Sequence, residues 1–444
     1  MIRKFTDWLV DCMKEYLPSS YWLALMLTAI VFVAGLVFTK TTVTGMMGHI
    51  GKGMFGLLGF TMQMVLILVT GYALANAPIV LKALKKLATI PKTNAQAIVF
   101  TAFIASVCTY IHWGFGLVAG ALIAKEVAIL NYGKKIHYPL LIAAAYSGNL
   151  LRGPSSSVFL GPTEAKHAAA QFVGIIPLSD TLYGMGNIIM TLILLFGIPI
   201  VYYYMIPPES KSVEIKLDAI QKAVTKVEEK KVDLKSLSFA DRMEENWLIQ
   251  YIVAGLLSAY IIADFIKSPT LNLSINMIIL IFLVLGMFAH KTPGAFAKAV
   301  KDATKTTDGM LLQFPFYAAI MVMLRDTGMS TAIANWFISI ADADTLPLAA
   351  FYAAGVVNMF IPSGGGLWAI QGPIMLEAAK VLGADPAAVM VGMGWGDSWT
   401  SQIQPFWALP LLAIAGLDVN DIMGYCAVIL IFSGIVISAT LLMM

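Results

Sequence analysis

The residues best suited to chemistry are two charged side chains inside long apolar stretches. Asp397 lies where residues 396–405 interrupt a helical pattern, and Arg152 lies in a similar interruption at residues 147–157. A charged side chain at the centre of a bilayer costs about 2.5–3.5 kcal/mol on insertion scales, so it is rare without a partner or a task. Asp397 could therefore carry a proton or bind Na⁺, and a helix N-cap is its structural alternative. Arg152 could attract a carboxylate or form a structural salt bridge, for instance with Asp397.

Oxygen-bearing and amide side chains accompany both charges. Interrupted helices in transporters place such groups beside unwound backbone, where they bind substrate or ion. Each hydroxyl also has a structural alternative, because Ser and Thr satisfy backbone groups in broken helices. We predict substrate contacts in the first interruption from Ser147, Asn149, Arg152, Ser155 and Ser156. We predict contacts to a coupling ion in the second from Asp397, Ser398, Thr400, Gln402 and Gln404.

A Pro-Ser-Gly-Gly-Gly run at residues 362–366 lies between two apolar segments. Proline and three glycines disfavour a helix, so we predict a turn here and a helix that begins near Leu367. Irregular backbone at membrane depth is tolerated only where protein or water surrounds it, which predicts the tip of a re-entrant hairpin over residues 346–382. Such a tip would let an anion approach the backbone N–H groups of a helix N-terminus. The alternative is a buried soluble loop, or a kink that only packs helices.

A second tip is predicted at Trp-Gly-Phe-Gly, residues 113–116, within a hairpin over residues 95–130. Its Gly114 precedes Gly364 by 250 residues (364 − 114). Aromatic residues crowd the tips and interruptions, and a short aliphatic acid needs an apolar wall beside its carboxylate clamp. We therefore predict further substrate contacts from the tips and from two nearby residues: Trp113, Gly114, Phe115, Gly116, Ser363, Gly364, Gly365, Gly366, Gln371 and Trp399.

Each half of the chain repeats the same order of elements: two spans, a hairpin, a broken helix and a final span. Four crossings per half leave the orientation unchanged, so one extra span would invert the second half and bring the two tips together from opposite faces. The predicted units are a first repeat at 1–206 (interfacial helix in 1–16, hairpin 95–130, broken helix 139–160), a cytoplasmic linker at 207–246, an extra span at 247–265 and a second repeat at 266–444 (hairpin 346–382, broken helix 387–415). Lys-rich segments face the cytoplasm, which places the N-terminus inside and the C-terminus outside.

Composition sets the class of protein. The 444 residues are 59% hydrophobic and 12% charged, against about 25% charged residues in soluble chains, so we predict an all-α polytopic membrane protein with nine spans and two hairpins. A net charge of +3 gives no reason to expect nucleic acid as a partner, which leaves the lipid bilayer and a small solute. The three cysteines and five histidines show no metal-site spacing, so we expect no bound metal and no cofactor besides H⁺ or Na⁺ as coupling ion.

Several of these motifs resemble one known family. The segments that carry the resemblance are Trp113-Gly114-Phe115-Gly116, Gln313-Phe314-Pro315-Phe316-Tyr317, residues 362–373, residues 404–417 and Asp421-Ile422-Met423-Gly424-Tyr425-Cys426. Together they resemble the short-chain fatty acid transporter family of bacteria, over nearly the whole chain. The resemblance implies uptake of acetoacetate or butyrate across the inner membrane. It also implies kinship with the ion transporter superfamily, an elevator-type mechanism and a homodimer.

We therefore expect a secondary active transporter for small monocarboxylates, coupled to H⁺ or Na⁺, and not an enzyme. Three alternatives stay open at the level of sequence. A dicarboxylate symporter would use Arg152 as an additional clamp, and an intramembrane acyltransferase would need His112 as its base. The third alternative is a channel.

Overall fold

The computed structural model describes residues 20–164, 167, 169–216, 238–267 and 273–444. Within these ranges the regular elements are helices. The predicted interfacial helix in residues 1–16 lies outside them, as does most of the predicted linker at 207–246, so both stay predictions.

The first half of the chain contains helices of 10 to 20 residues and two helices of 4 residues. They are α1 (Ser20–Phe38), α2 (Val43–Gly53), α3 (Leu58–Ala75), α4 (Pro78–Ala88), α5 (Asn94–Ile111), α6 (Trp113–Leu130), α7 (Tyr138–Ser147), α8 (Ser157–Leu160), α9 (Ala170–Val173) and α10 (Met185–Tyr204). Proline begins α4 and follows the first residue of α7, where its missing N–H costs no helical hydrogen bond.

The described regular elements of the second half are also helices. Its helices are α11 (Phe239–Glu244), α12 (Trp247–Lys267), α13 (Ile275–His290), α14 (Pro293–Thr304), α15 (Asp308–Asp326), α16 (Met329–Ile340), α17 (Leu346–Phe360), α18 (Gly364–Leu382), α19 (Pro386–Thr400), α20 (Pro405–Ala415) and α21 (Val419–Leu441). Lysines mark α4 and α14 as amphipathic, in keeping with helices at a membrane surface.

Seven helices of the described chain are long and apolar enough to cross a membrane, or eight if the bent pair α14–α15 is one span. They are α1, α3, α5, α6, α10, the stretch Phe239–Lys267 and α21. The chain is thus a multi-pass membrane protein. Helices α5 and α6 are each long enough to cross the membrane, although they are the two arms of the first predicted hairpin. The count of nine spans and two hairpins therefore stays a prediction.

The tips of the two predicted hairpins share one capping geometry. A single extended residue, His112 (φ −159°, ψ 119°), joins α5 to α6, and Ser363 (φ −151°, ψ 115°) precedes α18. Each side chain caps the helix that follows: His112 Nδ1 accepts from the Phe115 N–H at 3.3 Å, and Ser363 Oγ accepts from the Gly366 N–H at 3.3 Å. The prediction that the glycines form a turn before Leu367 was wrong, since they are the first turn of α18.

The two broken helices also share local geometry. After α7, a 3₁₀ turn over Gly148–Leu150 leads to extended Leu151 (φ −84°, ψ 100°). After α19, a 3₁₀ turn over Ser401–Ile403 leads to Gln404 (φ −86°, ψ 119°). This recurrence agrees with a duplicated unit, and its inverted orientation stays a prediction.

The second break is shorter than predicted, because α19 stays helical through Thr400. Glycines let this helix lie directly on α17. A Cβ on Gly392 would collide with the Pro347 carbonyl, and one on Gly396 with the Phe351 carbonyl. Gly396 therefore serves close helix packing and does not end the helix.

Candidate functional site

The two breaks meet in a buried ion pair. Arg152 Nη1 donates to Asp397 Oδ2, and Arg152 Nη2 donates to Ser401 Oγ at 3.3 Å. Asp397 is fully buried, and the Arg152 side chain is 10% exposed. The N-cap alternative for Asp397 is therefore wrong, since this residue lies in the last turns of α19 and its carboxylate faces the other half of the chain.

Each partner is positioned by its own break. Extended Leu151 ends the 3₁₀ turn and precedes Arg152. Further along the same break, Ser155 Oγ accepts from the Trp113 N–H at 2.9 Å. This bond fixes the tip of the first hairpin to the first break. In the second break, Ser401 Oγ donates to the Asp397 carbonyl at 2.7 Å.

The tip of the second hairpin covers the same pair. A Cβ on Gly364 would lie 3.0 Å from Asp397 Oδ2, and a Cβ on Gly365 would lie 2.5 Å from the Phe60 ring. At Gly366 the nearest atom is in the Tyr317 ring, 2.9 Å away. Helical φ and ψ suit any residue, so these three positions need glycine for space.

A small cavity of about 20 Å³ lies between the tips and the first break. Its polar lining is Arg152, Ser156, Ser157 and Ser363. Its apolar lining is Met64, Trp113, Met310 and Trp407, beside Gly364. The two indole rings meet edge to face, with centroids 5.4 Å apart. Such a volume holds about one water molecule, so this conformation is closed around a site too small for an organic acid.

Several buried polar atoms around the ion pair have no hydrogen-bond partner within the described residues. A polar atom left in this state costs about 1–3 kcal/mol, so a cluster of them indicates a place for a ligand or water. The atoms are Asn149 Nδ2, Arg152 Nε, Ser156 Oγ, Asn358 Oδ1, Asp397 Oδ1 and both amide atoms of Gln402. The set mixes donors for an anion with oxygens for a cation.

Three predicted site residues instead bond to neighbouring helices outside the cavity. Ser147 Oγ lies 2.5 Å from the Tyr202 hydroxyl on α10. Gln371 Nε2 donates to the Ala350 carbonyl, 3.4 Å away within the second hairpin. The Trp399 indole donates to a carbonyl of α21 at 2.7 Å. These three side chains hold neighbouring helices, and none of them lines the cavity.

A second group joins α17 to the second break. Asn358 Nδ2 donates to Thr400 Oγ1 at 2.9 Å and to Ser401 Oγ at 3.1 Å. Gln404 Nε2 donates to the Asn358 carbonyl at 2.9 Å. Ser398 Oγ bonds within α19, to the Gly394 carbonyl at 3.1 Å. Of the predicted ion-coupling residues, Asp397 and Gln402 thus have unpartnered oxygens in the described chain.

Five residues of the site were not among the predicted contacts: Ser157, Trp407, Asn358, Met64 and Met310. Asn358 had a signal, because it is an amide inside the otherwise apolar α17. The two methionines had none, since an apolar residue in an apolar helix does not show which face it occupies.

The chain matches the profile of the family described as short chain fatty acid transporter over residues 1–444. The chain belongs to this family. A relative from Haemophilus influenzae, named as a short-chain fatty acid transporter, is 39% identical over 98% of both chains. One from Escherichia coli with the same name is 38% identical over 98% of both chains. The protein is therefore a membrane transporter and not an enzyme, as predicted.

Two solved transporters are similar at lower identity. One is the YdaH transporter of Alcanivorax borkumensis, at 14% identity and a TM-score of 0.48, with 96% of this chain and 98% of that one covered. The other is MtrF of Neisseria gonorrhoeae, also at 14% and 0.48, with 98% and 97% covered.

Proposed function

We propose that this protein is a secondary active transporter that moves short-chain monocarboxylates, of the acetoacetate and butyrate class, together with H⁺ or Na⁺. The observation that carries the proposal is the position of Arg152. Its guanidinium lines a buried cavity that also touches both hairpin tips, and helix N-termini at those tips add partial positive charge.

In this proposal the substrate carboxylate binds Arg152, Ser156 and the N-terminus of α18. Its short alkyl chain contacts the indoles of Trp113 and Trp407. The cation acts at Asp397, with Gln402 beside it in the second break. Family membership and the names of the two relatives support this class of substrate.

The charge of the cavity favours one carboxylate over two. Arg152 is the charged residue among the described residues that line it, and Asp397 already offsets that charge. A second substrate carboxylate would enter a buried site without a cation, at a cost of several kcal/mol. Succinate should therefore compete poorly with butyrate.

The direct test is uptake of labelled butyrate into proteoliposomes, with a proton gradient, a Na⁺ gradient or neither. We expect saturable uptake that exceeds equilibrium under one of the two gradients. Absence of saturable uptake for every short acid tried would reject the proposal. The Asp397→Asn variant should keep butyrate exchange and lose gradient-driven accumulation.

The remaining features of the proposal concern the whole protein. We infer an elevator-type movement in which the hairpins and breaks move as one unit, a homodimer, and residence in the bacterial inner membrane. The N-terminus would face the cytoplasm and the C-terminus the outside, as the Lys-rich segments indicate.

A further inference from the structure

We propose that Asp397 occupies the place of the substrate carboxylate in the closed site, and that substrate binds Arg152 only after a proton neutralises Asp397. This inference rests on the proposed function and specifies how its coupling works. It makes Asp397 a competitor of the substrate, in addition to a carrier of the proton.

The guanidinium of Arg152 is already engaged in the closed site. Arg152 donates one N–H of Nη1 to Asp397 and one N–H of Nη2 to Ser401, while its Nε has no partner within the described residues. Carboxylates bind arginine best through two parallel N–H groups. The adjoining cavity of about 20 Å³ holds no second carboxylate. Because the cavity has no room for a second carboxylate beside Asp397, we infer that a substrate that pairs with Arg152 takes the place of Asp397.

The balance of buried charge also favours an exchange of Asp397 for the substrate. Arg152 and Asp397 sum to zero in the closed site, and a substrate carboxylate would leave one negative charge buried without a partner. One proton restores the balance. Asp397 Oδ1 is buried and lacks a partner in the described chain, so it can take the proton while Oδ2 still faces Arg152.

A proton suits this exchange better than Na⁺. A bound Na⁺ would leave Asp397 ionised and still attracted to Arg152, and it would add a cation near the guanidinium. A proton removes the attraction between the two charges and leaves a neutral carboxyl group that binds Arg152 more weakly than a carboxylate does. Among the described residues, Arg152 is the charged group that contacts Asp397. Tyr146 from α7 donates to the Ser401 carbonyl at 2.5 Å, and α8 and α18 place Ser157, Val158 and Gly364 nearby.

The proton balance follows from these contacts. A proton from one side of the membrane forms an O–H bond on Asp397 Oδ1, the ion pair with Arg152 breaks, and the substrate carboxylate forms a new one. After the site opens to the other side, the acid leaves, the proton returns to water and Asp397 pairs with Arg152 again. The cycle carries one proton and one monocarboxylate, without net charge.

The test is the pH dependence of butyrate binding to the purified full-length protein in nanodiscs without Na⁺. For each unit by which the pH rises between about 6 and 8, one linked proton weakens butyrate binding to the wild type by up to about tenfold, where Asp397 is ionised before the substrate binds. Asp397→Asn should bind at least as tightly as the wild type at the lower pH, with no dependence on pH. As a control, Glu377→Gln should keep the wild-type slope, since that carboxylate lies outside the cavity and accepts from Thr331.

A second measurement needs no variant. Addition of butyrate to wild-type protein in weak buffer should take up one proton per acid bound, seen as a rise in pH that Glu377→Gln reproduces. Weaker binding by folded Asp397→Asn, or binding without proton uptake, would overturn the exchange. An affinity that follows Na⁺ at constant pH would do the same. Absence of butyrate binding and uptake in the wild type would instead reject the proposed function.

Discussion

At the scale of single residues, the ion pair makes a prediction about stability. Arg152→Gln leaves the fully buried Asp397 carboxylate without its cation, and loss of one partner from a buried pair costs about 3–5 kcal/mol. Asp397→Asn strands the guanidinium in the same way. We expect the double variant Arg152→Gln/Asp397→Asn to be more stable than Arg152→Gln alone. The measurement is the midpoint of thermal unfolding in detergent for all four proteins.

The double variant separates coupling from mere sensitivity of the region. If the two residues act as a pair, the combined loss is clearly smaller than the sum of the single losses. Additive losses would show that the pair contributes little. As a reference, Lys305→Gln removes a surface pair with Asp302 and should shift the midpoint little.

At the scale of helices, the contact between α17 and α19 depends on missing side chains. A methyl group on Gly396 would collide with the Phe351 carbonyl, which is backbone and cannot rotate away. Gly396→Ala should therefore cost about 1–3 kcal/mol and weaken transport, because α19 carries Asp397. Thermal midpoints and initial rates of butyrate uptake measure the two effects.

A matched glycine supplies the control for this prediction. Gly255 lies within α12, and a Cβ there would meet nothing within 4 Å. Gly255→Ala should be neutral or slightly stabilising, since alanine favours a helix over glycine by about 1 kcal/mol. If both variants lose stability equally, close packing of α17 on α19 is not the reason that Gly396 is needed.

Element types were predictable from the sequence because apolar length and Lys placement depend on local chemistry. The ends of the hairpin arms follow from the same signals. The start of α18 was not predictable, because three consecutive glycines are typical of a turn. In the structure they are helical, and Gly365 and Gly366 leave space for the rings of Phe60 and Tyr317 on other helices. The continuation of α19 through Asp397 was not predicted for the same reason. Only the packing of α19 against α17 explains the glycine at position 396.

The candidate site was likewise predictable only in part. A charge in apolar sequence identified Arg152 and Asp397 before their contact was seen. Hydroxyls and amides gave weaker signals, because Ser147 and Gln371 bond to neighbouring helices while Ser156 faces the cavity. Residue type alone does not tell which face of a helix a hydroxyl occupies.

At the scale of the whole molecule, the closed cavity must open to both sides of the membrane in turn. Ser156 tests this, since it lines the cavity and cysteine is close to serine in size. We expect Ser156→Cys, in a chain whose own cysteines are replaced, to react with a membrane-impermeant thiol reagent from either face of oriented vesicles, and butyrate to slow the reaction. Ser106→Cys is the control, because that hydroxyl is buried and bonds within α5 at 2.7 Å, so it should not react. Reaction of Ser156→Cys from one face alone would contradict alternating access at this cavity.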